Sequence, residues 1–269
     1  MLCDYHVHSA VSCDCQAPMH EQIERAQQLG LNEICFTEHI EINFHRGADW
    51  RSDINYYEKK IKAVKPFNLH IKFGIEAGIT CKKDDFHELI KDIESADFDF
   101  VLASAHAVDD SDPFMPAFYD GKTRKQIFHD YFQALIKGLE NLKPEHYSAV
   151  AHIDFISKGM LKLGMPDPFL KYEDAPDHID ELFRKIISLG KCIEINTSTI
   201  QDKHIRRYGE PDWLHRYADL GGTYVTIGSD AHKTENVGVG IADAMELAYN
   251  CGIKYFATFD QMVPKLHRL

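Results

Sequence analysis

Two spacings of apolar residues alternate along the chain. Short runs rich in Val, Ile, Phe and Cys are separated by longer stretches whose apolar residues recur three and four apart. The short runs predict strands over Leu2–His8, Glu33–Thr37, His70–Gly74, Asp99–Ala103, Tyr147–Ala151, Cys192–Ile195 and Thr223–Ile227, and a last short one over Lys254–Phe259. The longer stretches predict helices over Met19–Leu29, 53–65, Asp84–Ser95, Thr123–Leu142, Pro176–Leu189, Pro211–Leu220 and Ile241–Asn250. Phe86, Leu89, Ile90 and Ile93 form one apolar stripe of this kind. Gly30, Pro66 and Gly221-Gly222 stop three of the helices. Segments 40–52, 107–122 and 157–176 lack a period, and the last two are broken by Pro and Gly, so all three predict loops.

Strands and helices in strict alternation, with mostly apolar strands, predict an α/β fold around a parallel sheet. Six of the first seven strands run out into His, Asp or Glu, and the other ends in Asn196. A closed barrel gathers all those ends at one rim, whereas a doubly wound sheet gathers only the few at its switch point. The even spread therefore favours a barrel. The last strand is poor in such residues, which makes it a distorted seven-stranded TIM-like (β/α) barrel. A chain of 269 residues is the length of one such domain, spanning 1–269.

The net charge of -12 argues against a nucleic-acid partner, which wants a basic stripe. No apolar run approaches the length of a membrane span, so no membrane partner is expected. The 7 cysteines are odd in number and scattered, and Met1-Leu2-Cys3-Asp4 leads directly into a strand without a signal peptide. They read as reduced thiols of a cytoplasmic protein. These features leave the oligomeric state open.

The 16 histidines change the picture most. His6 and His8 are two apart on a strand, so both rings leave one face. A lone His-x-His is more often core filler beside a solvated ring. Here comparable strand ends supply His39, Glu76, His106, His152, Asp230 and His232 as well. Eight candidates exceed what one ion takes, so two or three divalent ions fit better. Glu76, from a middle strand, is placed to bridge two of them. Two ions so shared lower the pKa of a bound water and neutralise phosphoryl charge. Glu38 alternates to the other face and reads as support for a His ligand. The remaining histidines read as ordinary core or surface residues.

The ordered set His6-Val7-His8-Ser9, Thr37-Glu38-His39, Gly74-Ile75-Glu76, Ser104-Ala105-His106, Ala151-His152 and Gly228-Ser229-Asp230-Ala231-His232 resembles the polymerase and histidinol phosphatase (PHP) superfamily of metal-dependent phosphoesterases. The resemblance implies a distorted seven-stranded barrel with a trinuclear site at its mouth. It gives His6, His8, Glu76 and Asp230 to one ion and Glu76, His106 and His152 to a second. His39 and His232 hold the third with a residue from the loop after Ser9, where many members carry His. Ser12-Cys13-Asp14-Cys15 stands there instead, and Asp14 is the substitute of choice. Zn, Mn and Fe all suit these ligands.

The chain length and the insertions after His39 and His106 look like the stand-alone members of that family. The implied reaction is hydrolysis of L-histidinol phosphate to L-histidinol and phosphate, in histidine biosynthesis. Glu76, Asp230 and His232 are the catalytic candidates: Asp230 to take the proton of the attacking water, and His232, or a water it orients, to protonate the leaving alkoxide. Lys158, Arg206 and Arg207 are candidates for the phosphate, with Lys203 beside them, and Glu41 and Asp49 for the amine and imidazole of a small-molecule substrate. The alternatives are a PHP-type phosphoesterase acting on nucleotides or nucleic-acid ends, and a metal-binding protein without catalysis. An amidohydrolase barrel would need a Lys at a strand end, which is missing.

Overall fold

The computed structural model describes residues 1–45, 48–64, 68–80, 82–108, 111–198 and 211–269. Its strands are β1 (Cys3–Val7), β2 (Glu33–His45), β3 (Ala48–Arg51), β4 (His70–Gly78), β5 (Phe100–Ser104), β6 (Ala149–Val150), β7 (Cys192–Asn196), β8 (Tyr224–Gly228), β9 (Tyr255–Asp260) and β10 (Val263–Arg268). They form one sheet in the order β1-β2-β4-β5-β6-β7-β8-β9-β10, with β3 beside β2. Every pair from β1 to β9 along that order is parallel. The pairs β2–β3 and β9–β10 are antiparallel.

The sheet thus has ten strands, nine of them along an open path, where the sequence predicted the seven of a closed barrel. Its two flanks still approach each other. Val7 bridges Ala231 in parallel, the Asp230 amide donates to the His6 carbonyl at 2.7 Å, and the His8 amide to the Ala231 carbonyl at 3.0 Å. At the opposite end of β1 the Phe259 amide donates to the Tyr5 hydroxyl at 2.7 Å, tying β1 to β9.

β1, β5 and β7 are buried throughout, as parallel strands covered on both faces must be. Val7, Ile34, Phe36, Ile75 and Leu102 belong to a core that continues under the helices. The helix Arg124–Asn141 shows why sequence fixes such covers. Thr123 and Gln126 form a capping box at its start, and Phe128, Tyr131, Phe132 and Leu135 bury one stripe.

Two expected loops fold otherwise. Residues 40–45 extend β2 past its pairing with β4, and β3 pairs antiparallel with that extension, so much of 40–52 is strand. Within 157–176, Phe155–Lys162 is a helix. The last expected strand is real and is followed by β10, which sequence periodicity did not signal.

Candidate metal centre

Strand β1 points Tyr5 and Val7 into apolar packing and His6 and His8 to the other side, where both rings are fully buried. Their Nε2 atoms lie 3.0 Å apart, and both face Glu76 Oε2, at 3.2 and 3.3 Å. Asp230 Oδ1 stands 3.5 Å from each. On the far side of Glu76, Oε1 meets His152 Nε2 at 2.8 Å and His106 Nε2 at 3.1 Å. His39 Nδ1 approaches Oε2 at 3.3 Å. Asp14 Oδ2 lies 3.4 Å from His39 Nε2 and 3.1 Å from His232 Nε2. The nine expected ligands therefore meet around one carboxylate and one adjoining pocket.

Neighbouring groups decide which ring nitrogens are left bare. His6 Nδ1 bonds Glu194 Oε1 at 2.6 Å, and His106 Nδ1 bonds Glu41 Oε1 at 2.5 Å. Each carboxylate claims the ring proton, so each neutral imidazole presents a lone pair at Nε2. Without an ion, burial disfavours the charged rings, yet the neighbouring carboxylates outweigh it and raise both, His106 to about 9, so a proton stands between each Nε2 and Glu76 in the place a cation would take. Buried His39 Nδ1 and His152 Nδ1 make no hydrogen bond. His6, His8 and Glu76 cluster within ligand distance, as do Glu76, His106 and His152. The donor set of imidazole and carboxylate suits divalent transition ions. Groups also form from His8, His39 and His232 and from His39, Glu41 and His106.

The charges follow the same logic. Burial and the neighbouring His232 and His39 lower His8 to about 4. Burial pushes the Glu76 and Asp230 carboxyls up, yet His6 and His106 around the one, and Lys158 and His6 around the other, outweigh it and hold both well below the usual range. Asp230 takes a left-handed backbone at φ 55, uncommon for a residue with a side chain. Asp4 fixes that turn from beneath, accepting from the Ser229 and Gly238 amides at 2.8 Å each.

The other expected residues lie as follows. Glu38 accepts from the Ser9 and Ser12 amides and from the Ser12 hydroxyl at 2.6 Å, and Ser12 in turn receives the His39 amide. Glu41 is on β2 rather than in a loop, buried against His106, with Gly78 opposite because a Cβ there would fall 1.8 Å from Glu41 Oε2. Asp49 accepts the Asn43 amide at 2.9 Å. Lys158 belongs to the helix Phe155–Lys162, not a loop, and its Nζ pairs with Asp230. Lys203, Arg206 and Arg207 lie outside the described residues. Cys15 donates to the His8 and His232 carbonyls at 3.2 Å each, and burial pushes its thiol up to about 11.

A cavity of about 550 Å³ opens above Glu76, Asp230 and His232. Phe44, Trp50, Phe114 and Phe155 form its apolar walls, and Asp112, Lys158 and Lys162 are its other charges. Sequence reasoning missed Glu194. It looked for chemistry at strand ends, whereas Glu194 sits inside β7. The available signal was its alternation with Asn196 in Cys192-Ile193-Glu194-Ile195-Asn196, which puts two polar groups on one face of an apolar strand.

The PHP domain family profile matches residues 4–198. A probable histidinol-phosphatase of Clostridium acetobutylicum is 30% identical over 254 residues, 94% of this chain and 95% of that one. The histidinol-phosphatase of Lactococcus lactis is 30% identical over 265 residues, 96% of this chain and 94% of that one. The crystal structure of histidinol phosphate phosphatase from Lactococcus lactis, complexed with zinc, L-histidinol and phosphate, superimposes with a TM-score of 0.87 at 29% identity, covering 98% of both chains.

Proposed function

Because the chain belongs to the PHP domain family, we propose that it is a histidinol-phosphatase, a phosphoric monoester hydrolase that converts L-histidinol phosphate to L-histidinol and phosphate in histidine biosynthesis. The observation that carries this reading is the convergence of His6, His8, His106 and His152 on Glu76 at the floor of an aromatic-walled cavity. The relatives with that name over nearly the whole chain support it. One domain over 1–269 does the work, in the cytoplasm. On this reading the frame is a distorted barrel of seven parallel strands, β1, β2 and β4 to β8, within the open sheet; the Val7–Ala231 bridge, where the sheet's flanks approach, supports it.

His6, His8, Glu76 and Asp230 hold one divalent ion, Glu76, His106 and His152 a second, and His39, His232 and Asp14 a third. Zinc is the first choice, since the Lactococcus lactis structure carries it, with Mn or Fe compatible with the same donors. When bound, such ions supply a water of lowered pKa and positive charge against phosphoryl oxygens.

The chain's own groups do the rest. Asp230 takes the proton of the attacking water on a carboxylate oxygen, and His232 orients the water that protonates the departing alkoxide. Lys158 stands beside Asp230 on the cavity wall, where its ammonium meets a phosphate oxygen, with Arg206 and Arg207 as further cations. Phe44, Trp50, Phe114 and Phe155 exclude water and cover a planar ring. Glu41 is engaged by His106, so Asp112, on the cavity wall, serves as acidic partner for the amine or imidazole. The net charge of -12 suits a small substrate rather than nucleic acid.

Steady-state kinetics of the zinc-loaded chain across a panel of phosphate esters tests the proposal. L-histidinol phosphate is expected to exceed generic monoesters in kcat/KM by at least about 100-fold, as buried polar contacts made by one substrate alone allow. Equal rates across the panel would refute the substrate.

A further inference from the structure

Strand β7 contributes no ligand to any of the three ions, yet one of its side chains touches ligands of two of them. Glu194 is 1% exposed, between Ile193 and Ile195, which face the opposite side. Its Oε1 accepts from His6 Nδ1 at 2.6 Å. Its Oε2 accepts from the His152 amide at 3.0 Å and from Asn196 Nδ2 at 3.1 Å. Asn196 donates in turn to Asp230 Oδ2 at 3.2 Å. One buried carboxylate thus reaches His6 and Asp230, assigned to one ion, and His152, assigned to the next.

The surroundings are built to allow this. Gly228, paired with Asn196 across β7 and β8, has no Cβ where one would fall 2.6 Å from Glu194 Oε1 and 2.2 Å from His6 Cβ. β6 is only two residues long, so His152 lies beyond its ladder, and the His152 amide bonds a side chain instead. A ring and a main-chain amide on different strands are therefore held at a fixed separation by two oxygens of one rigid group.

We infer that Glu194 is a positioning residue that couples the two ion sites sharing Glu76: it fixes the tautomer and aim of His6, the position of His152 and, through Asn196, the aim of Asp230. This rests on the ion assignment proposed above. A buried carboxylate with a merely structural role would cost stability without a pattern among the ions. A coupling carboxylate affects one pair of ions and spares the third, whose candidate ligands His39, His232 and Asp14 lie away from it.

The test uses the whole chain, stripped with dipicolinate and titrated with zinc against a chromophoric chelator. Circular dichroism and kinetics on L-histidinol phosphate run alongside. The Glu194→Gln variant keeps the shape but sets an amide NH2 against donors. It is expected to weaken two ions together by about 10–100-fold each, to leave the third within about threefold, and to lower kcat more than KM with a native dichroism spectrum. Unchanged zinc affinity, weakening of one ion alone, or equal weakening of all ions overturns the coupling. If Glu194→Gln does not fold, Asn196→Ala decides. It removes the amide that bonds both Glu194 and Asp230 while leaving the Glu194 bonds to His6 and His152 in place, and is expected to weaken the ion at Asp230 by about tenfold; unchanged zinc binding overturns the proposal. A wild-type chain that takes up no zinc overturns the ion assignment instead, which separates the two failures.

Discussion

The mouth of the sheet and the outer helices both concentrate charge, on opposite plans. On the outside, Asp180 accepts from Arg216 Nε at 2.8 Å and Nη2 at 2.6 Å, from Arg184 at 2.7 Å and from the Tyr172 hydroxyl at 3.0 Å. Asp174 likewise accepts from Arg124 Nε at 2.6 Å and Nη2 at 2.7 Å. Each carboxylate there finds its donors within the chain. At the mouth, His6 and His8 present Nε2 atoms 3.0 Å apart to one Glu76 oxygen, and His106 and His152 crowd the other. The neighbours of Glu76 are imidazoles, which can surrender a proton to take an ion as a guanidinium cannot. The first region is held by fixed guanidinium charges; the second is held by imidazole protons that a metal ion can replace, which is what distinguishes a binding site from a structural ion pair.

Removing the ions breaks that comparison hardest. Two ions held at about 100 times their Kd each contribute roughly 2.7 kcal/mol to the folded state. At about 2–4 °C per kcal/mol for a chain of this size, stripping is expected to lower Tm by about 10–20 °C. Turnover should vanish with it and return with zinc. Scanning calorimetry and assay of stripped and reconstituted protein check this; identical melting and turnover in both forms would contradict it. Next in size is Glu76→Gln, which replaces a shared carboxylate by an amide whose NH2 cannot ligate. Its kcat is expected to fall by about 100–1,000-fold, the loss typical of one preorganised charge at a reacting centre. Zinc stoichiometry should drop while the far-ultraviolet spectrum stays native. Full activity in that variant would rule out a shared carboxylate.

How much of this could be read in advance follows from the same contrast. His6-x-His8, His106, His152 and the Asp230-Ala231-His232 turn stand at or just beyond strand ends, where the apolar runs stop, so the strand pattern made them candidates. Glu76, two residues inside the end of β4, joined them as the carboxylate closing an apolar run. Glu194 did not stand out because it interrupts an apolar strand, and its partners lie 42 and 188 positions away. Glu41 read as a loop residue because β2 runs past its pairing with β4: polar Glu41 and Asn43 break the apolar pattern while the backbone stays extended against β3. The helix holding Lys158 was hidden by Gly159, a poor helix former. Local pattern reports which element a residue occupies. What a buried charge pairs with is decided by the order of strands in the sheet.

The sharpest form of the comparison repeats the carboxylate-to-amide exchange on the outside. Asp180→Asn leaves every side chain of the mouth untouched, so zinc binding and kcat are expected to match wild type. The pair is partly exposed, with Arg216 at 32% and Arg184 at 60%, so solvent screens it and the loss should be only about 1 kcal/mol, or about 2–4 °C. Its pH dependence carries a sign. The Arg216 hydrogen bonds lower Asp180 to about 2, below the roughly 3.9 of an unfolded aspartate. Between those values the unfolded chain binds more protons, so the stabilisation is complete above about pH 4 and fades as pH falls towards about 2. Urea unfolding of stripped wild type and Asp180→Asn should therefore give a constant difference from pH 7 to about 4 and a shrinking one below. A difference already gone at pH 5, or a loss of bound zinc in the variant, would mean that the outer ion pairs are not independent of the mouth.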